Sequence, residues 1–256
     1  MSEWVLLRGL TRGSAHWGDF PARFQAALPA ARVHLLDLPG NGERDLERSP
    51  ATVAAMVADC RQQLADRGVR TPVHLLALSL GAMVATQWLH TAEDDIRSAV
   101  LVNTSMRPFS PLHHRLRPRN LPLLLRLACR SSAQAAEQLV WQMTSRQTPA
   151  DASVLADWVR ARQQHPVRAA NAWRQLLAAA RFRAPPTPPA RPVLLLCSEQ
   201  DQLVNHRCSQ ALAQAWGCAL AQHPSAGHDL PLDDPQWVIE QILANAAGGG
   251  WLPSGG

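Results

Sequence analysis

Val73-His74-Leu75-Leu76-Ala77-Leu78-Ser79-Leu80-Gly81-Ala82-Met83-Val84-Ala85 is the stretch that decides how this chain is read. An apolar run stops at a serine flanked by small residues, and a helix-forming run begins at once. The pattern predicts a buried strand over 73–77, a sharp turn, and a helix over 81–90. Backbones crowd at such a turn, so small residues are needed two positions before and two after the serine; Ala77 and Gly81 fill those places. The turn lifts the hydroxyl over the sheet edge, where a neighbouring base can make it a nucleophile. The plainer role for Ser79 is to cap the helix that begins at Leu80.

Outward from this stretch, apolar β-rich runs alternate with helical patterns. Strands are expected at 5–7, 33–36, 73–77, 99–102 and 193–197, with a weaker sixth at 218–222. Helices are expected at about 17–28, from Ser49-Pro50 to Gly68, and at 81–90, 207–216 and 235–246. Ser49 would cap the second of these with Pro50 in its first turn, and Val53, Met56, Val57 and Cys60 make its apolar stripe. Continuous apolar strands alternating with helices predict an α/β fold: a mostly parallel sheet covered by helices on both faces.

The alternation breaks between about residues 106 and 190, which read as helical throughout: 121–129, 133–143, 152–163 and 168–182. The segment returns through Ala184-Pro185-Pro186-Thr187-Pro188-Pro189, a stiff extended connector. The expected organisation is therefore a core of residues 1–105 and 191–247, an all-helical cap of residues 106–190 with a proline-rich return, and a disordered tail over 248–256.

Composition removes several classes of function. There is no lysine and no tyrosine, so Schiff-base chemistry and a P-loop lysine are excluded. Any catalytic acid or base must be His, Asp, Glu or Cys. The formal charge of +5 comes from scattered arginines without interleaved stacking aromatics, so no nucleic-acid partner is expected. No run is long and apolar enough to span a membrane. The opening Glu3-Trp4-Val5-Leu6-Leu7 has no leader-like features, and the five cysteines have neither metal-ligand spacing nor a disulfide framework, so a cytoplasmic location is expected. Gly40-Asn41-Gly42 lacks the third glycine of a dinucleotide turn, and His113-His114 lacks matching ligands. No metal and no cofactor are expected.

A base for Ser79 should stand on a loop after the last strand. His228 in Ser225-Ala226-Gly227-His228-Asp229-Leu230-Pro231 fits that position better than His223 or His206. A third residue should orient the imidazole. Asp201 follows the fifth strand, and Leu203-Val204 after it can anchor its loop; Glu199 is the nearby rival. The chain order Ser79, Asp201, His228 is that of the α/β-hydrolases.

On these residues the chain resembles the small, helically capped carboxylesterases of the bacterial α/β-hydrolase superfamily. The likeness runs from about Trp4 to Ala246. It is carried by Leu6-Leu7-Arg8-Gly9-Leu10, Asp37-Leu38-Pro39-Gly40-Asn41-Gly42, Ala77-Leu78-Ser79-Leu80-Gly81, Asp201-Gln202-Leu203-Val204 and Gly227-His228-Asp229. Alanine at 77 replaces the usual glycine, and Arg8 stands where the family carries histidine. The resemblance implies an oxyanion hole made by the backbone N–H groups of Leu10 and Leu80. It implies a serine hydrolase acting on a small-molecule ester or thioester through an acyl-enzyme. The same triad could instead serve a cofactor-free lyase or perhydrolase, or the fold could hold a low-turnover ligand-binding protein. Arg8 is expected to pair with a loop carboxylate or reach a substrate carboxylate. Trp141, Met143 and Trp158 of the cap are candidates for an acyl pocket, and core packing is expected for Trp88, Trp141, Trp158 and Trp173.

Overall fold

The apolar runs form the strands they predict: β1 (Ser2–Leu7), β2 (Ala31–Leu36), β3 (Val73–Leu78), β4 (Ile96–Val102), β5 (Val193–Ser198) and β6 (Ala219–His223). The computed structural model describes residues 2–128, 132–147 and 150–249. All neighbouring strands pair parallel in a six-stranded sheet of order β2-β1-β3-β4-β5-β6. Along β3 every residue is buried, and successive side chains enter opposite layers. Val73, Leu75 and Ala77 join the core on one face; Leu76 and Leu78 join the core on the other.

The helices are α1 (Phe20–Ala27), α2 (Val53–Asp66), α3 (Leu80–Thr91), α4 (Leu112–Arg115), α5 (Leu121–Ala128), α6 (Ala133–Thr144), α7 (Ala152–Gln164), α8 (Ala169–Arg181), α9 (Arg207–Trp216), α10 (Leu230–Asp233) and α11 (Pro235–Gly249). Apolar residues of α2, α3 and α9 cover the first face. Phe20 and Phe24 of α1, with Val238, Ile239 and Ile242 of α11, cover the second. On that face His74 lies flat on Trp4, with ring centroids 4.7 Å apart, and its Nδ1 meets Ser98 Oγ at 2.8 Å. Burial pushes the His74 pKa down to about 4, so it is a neutral core residue.

The chain builds outward from β1 to β2, then returns to place β3 on the other side of β1. The carboxyl ends of β1 and β3 therefore flank the point where the winding reverses, which is where such sheets open a crevice. Ser79 follows directly on β3, and the loop carrying Leu10 leaves β1 there.

Between β4 and β5 lie α4 to α8. Arg107 and Arg183 form a parallel bridge across the mouth of this insertion, reinforced by Ala184 N–H donating to Arg107 O at 2.7 Å. The insertion packs on the core through α7 and the 3-10 turn Ser14–Trp17, and through side chains of α8 described below.

Several expectations are corrected. The helix expected from Trp17 is a 3-10 turn ending at Trp17, broken by Gly18 at φ +57, before α1 starts at Phe20. The N-cap of α2 is Thr52, whose side chain accepts from Ala55 N–H. Ser49 is buried instead, its Oγ donating to Pro39 O and its N–H to Asn171 Oδ1 of the insertion. Trp173 is 72% exposed, not packed in a core, whereas Trp88, Trp141 and Trp158 are buried. α11 continues to Gly249, two residues into the expected tail, and 250–256 lie outside the described residues.

Gly81 carries the tightest requirement of the turn. A Cβ there would lie 2.6 Å from Leu7 O and 2.7 Å from Arg8 O, both backbone atoms that cannot swing aside. Gly81→Ala is expected to destabilise the fold by about 1–3 kcal/mol, as overpacking does. It should also push the loop after β1 away from Ser79. Urea denaturation checks the first effect, and an unchanged midpoint would contradict it.

Candidate active site

Ser79 adopts φ +56 and ψ −112 between β3 and α3, a conformation that L side chains rarely enter and that costs of order 1–3 kcal/mol. The fold holds it there: Ser79 N–H donates to Val102 O at 2.9 Å, and Thr104 Oγ1 donates to Ser79 O at 3.2 Å. Its side chain makes no capping bond to α3, which rules out the capping role. The loop after β1 presses against it, since a Cβ on Gly9 would sit 3.2 Å from Ser79 Cβ.

His228 is on the loop after β6 and is itself almost fully buried. Its Nδ1 lies 2.7 Å from Asp201 Oδ2. A carboxylate only accepts, so this nitrogen carries the proton and Nε2 is left as the basic nitrogen. Asp201 is itself fixed, because its Oδ1 accepts from Leu203 N–H at 2.7 Å and Val204 N–H at 2.9 Å. Those bonds leave Oδ2 for the imidazole. Glu199, the rival, is exposed. His223 shapes the loop instead: its Nδ1 accepts from Ser225 and Ala226 N–H, and its Nε2 faces Asp234 at 3.1 Å.

Asn103, at φ +45 just past β4, is a site residue that sequence reading missed. Its Nδ2 donates to His228 O at 2.8 Å and also reaches Gly227 O, while its Oδ1 accepts from Ser198 N–H at 2.8 Å. It ties the loop bearing the imidazole to the strand end that leads to Asp201. The one signal was a polar residue directly after an apolar strand.

The Leu80 and Leu10 amides complete the arrangement. Neither donates to an acceptor among the described residues, so both N–H groups are available to a ligand. Leu10 sits in a turn closed by Arg12 N–H donating to Gly9 O at 3.3 Å. The carboxyl edge of the sheet thus carries a hydroxyl on a strained turn, a carboxylate-bound imidazole, and two amides without an acceptor, that of Leu10 on the loop after β1 and that of Leu80 at the start of α3; among the described residues no hydrogen bond joins Ser79 Oγ to His228.

A sequence profile described as Alpha/beta hydrolase family matches residues 4–241. The chain belongs to the alpha/beta hydrolase family. Among solved structures, the Mycobacterium tuberculosis protein Rv0554 is 21% identical with a TM-score of 0.75, covering 96% of this chain and 90% of that one. A thermophilic esterase from Thermogutta terrifontis is 20% identical with a TM-score of 0.73, covering 97% and 90%. The esterase RhEst1 from Rhodococcus sp. ECU1013 is 19% identical with a TM-score of 0.73, covering 96% and 90%. These likenesses concern the fold. No curated protein sequence matches the chain.

In this alpha/beta hydrolase Arg8 is sequestered. Its Nη1 and Nη2 donate to Asp229 Oδ1 and Oδ2 at 3.0 and 2.5 Å, both side chains are about 3% exposed, and its guanidinium lies 4.8 Å from the centre of the Trp17 ring. Arg8 leaves β1 and Asp229 follows His228, so the pair joins the loop of the Leu10 amide to the loop of the imidazole.

Trp141, Met143 and Trp158 lie in the insertion's own apolar core with Val140, the two indoles 5.2 Å apart. A cleft of about 390 Å³ lies beside them, between residues 11–16 and α7, and its lining includes none of the three, nor Ser79 or His228. Arg12, Arg160 and Arg162 line it, and each pairs with Glu137 or Asp157 of the same lining. Each of the three arginines is thus met by a carboxylate of the same lining. Among the described residues no group of His, Cys, Asp and Glu has the geometry of a metal site, and no helix is long and apolar enough to cross a membrane.

Proposed function

We propose that the protein is a serine hydrolase that cleaves a carboxylic ester or thioester through an acyl-enzyme. The observation that carries this reading is the His228–Asp201 pair on the same sheet edge as Ser79 in its strained turn. Ser79 Oγ attacks the carbonyl carbon while His228 Nε2 takes its proton. The amides of Leu10 and Leu80 bind the carbonyl oxygen as it becomes an oxyanion. His228 returns the proton to the leaving oxygen or sulfur as that bond breaks, then activates water to release the acid. Asp201 holds the imidazole in the needed tautomer and balances its charge. Residues 106–190 act as a cap over these loops and limit which acyl groups enter. The sequestration of Arg8 by Asp229 leaves no observation that favours an elimination on an anionic substrate.

The reading is tested by a fluorophosphonate followed over pH. The Ser79 Oγ–phosphorus bond forms, fluoride leaves, and the proton passes to His228, so labelling needs neutral imidazole. Burial pushes the His228 pKa down; the charge of Asp201, the hydrogen bond to it and the charge of Asp229 outweigh this, and the net shift is up from 6.5. A raised value means the imidazole stays protonated to higher pH. Labelling at Ser79 and ester hydrolysis should both fall off on the acid side with a midpoint above 6.5. Labelling elsewhere, or a rate flat through that region, would defeat the proposal.

A further inference from the structure

The turn that presents the Leu10 amide is braced from outside the core. Its third residue, Thr11, is β-branched and sits at φ +57, where such a side chain is strained. Thr11 N–H donates not to the core but to Gln175 Oε1, at 2.8 Å, on α8 of the insertion. Gln175 is fully buried, and its Nε2 donates to Asn41 Oδ1 at 2.7 Å and Ser49 Oγ at 3.0 Å. A buried amide with all its partners met in this way has one seat. Fixing the Leu10–Thr11 peptide fixes one side of Leu10, and the Gly9–Arg12 turn fixes the other, so the Leu10 N–H has one direction.

We propose that Gln175 is a positioning residue of the oxyanion hole: it holds the strained Thr11 amide from the insertion and thereby aims the Leu10 N–H at the carbonyl attacked by Ser79. The inference rests on the serine-hydrolase reading and assigns part of that machinery to the cap. The insertion is then a fixed strut of the site as well as its cover. It touches the base loop too, since Asp229 N–H donates to Thr144 O at the end of α6, 2.8 Å away.

Asn171, one turn earlier on α8, supplies the control. It binds Ser49 N–H and Glu47 O but no atom of the turn. Gln175→Met removes the acceptor at nearly the same volume; Asn171→Ala loosens the same helix elsewhere. The readout is inhibition by an alkyl trifluoromethyl ketone. Ser79 Oγ adds to the ketone carbon, its proton passes to His228, and the ketone oxygen becomes an oxyanion in the hole. Gln175→Met is expected to weaken this inhibition, and to lower kcat on a p-nitrophenyl ester, by about 10- to 100-fold. KM should stay within about threefold, because the ground-state ester does not need the aimed donor. Asn171→Ala should lose thermal stability and keep ketone affinity.

Unchanged ketone affinity in Gln175→Met, or an equal loss in Asn171→Ala, overturns the proposal. If Gln175→Met does not fold, Gln175→Glu is read in its place; it keeps an oxygen for Thr11 N–H and loses the donors to Asn41 and Ser49. It should hold ketone affinity within about threefold, and a loss of about tenfold or more overturns the proposal. A wild-type protein with neither Ser79-dependent turnover nor ketone inhibition gives a different result. That outcome removes the hydrolase reading itself, and this inference with it.

Discussion

Ser79→Ala is expected to lower kcat/KM on a chromogenic short-chain ester by about 10⁴- to 10⁶-fold. The loss is large because the hydroxyl is the one atom that forms the covalent intermediate, while the imidazole and free amides remain but have nothing to activate except water. Those groups leave a residual rate above the uncatalysed reaction. The fold should tolerate the change, since the Ser79 side chain makes no capping bond and its backbone bonds to Val102 and Thr104 persist. Asp201→Asn is a companion test. Its amide can donate to Nδ1 and stabilise the tautomer with the proton on Nε2, where it blocks the base, at a cost of about 10⁴ in kcat. Removing that charge leaves burial opposed by Asp229 alone, so the imidazole pKa falls and the acid limb moves to lower pH. Steady-state kinetics on proteins of matched circular dichroism decide both. A Ser79→Ala protein within tenfold of wild type would dismiss the covalent mechanism.

The second large effect is on stability. Arg8 and Asp229 bury opposite charges in a two-point bond with Trp17 against the guanidinium. Removing one partner leaves the other charge desolvated and unmet, which costs about 3–5 kcal/mol. Domains are stable by only about 5–15 kcal/mol, so Arg8→Met or Asp229→Leu should move the urea midpoint sharply. The double variant Arg8→Met/Asp229→Leu removes both charges and should recover much of the loss. A cycle in which each single change costs under about 1 kcal/mol would place this pair with solvated surface bridges. The single variants should also lose activity beyond their instability, because the pair joins the loops that carry Leu10 and His228.

The sheet was legible in the sequence because parallel strands covered on both faces must be nearly continuous apolar runs, and the runs at 73–78 and 193–198 are apolar but for His74 and Ser198. Ser79 was legible because the turn forces small neighbours at 77 and 81. Asp201 could be preferred over Glu199 because Leu203 and Val204 follow it, and their amides are what fix its carboxylate. What escaped are residues whose partners are far away in the chain. Gln175 and Glu137 carry no mark in the sequence beyond being polar residues within helical patterns, yet they are buried against residues 164 and 125 positions away. Ser49 and Thr52 are chemically alike as caps, and the tertiary contacts of Ser49 with Pro39, Asn171 and Gln175 separate them. Trp173 has helical spacing like Trp158, but its side of α8 faces outward.

The bridge between Arg107 and Arg183 places both ends of the insertion side by side where adjacent strands β4 and β5 are joined. Loop closure there is already supplied by the sheet, so a segment of different length could be spliced in without shifting any strand. The same splice would be constrained in content. A transplanted module that kept the Leu10 turn as it stands would have to bring a carbonyl oxygen or equivalent to meet the Thr11 amide, the place that Gln175 Oε1 fills.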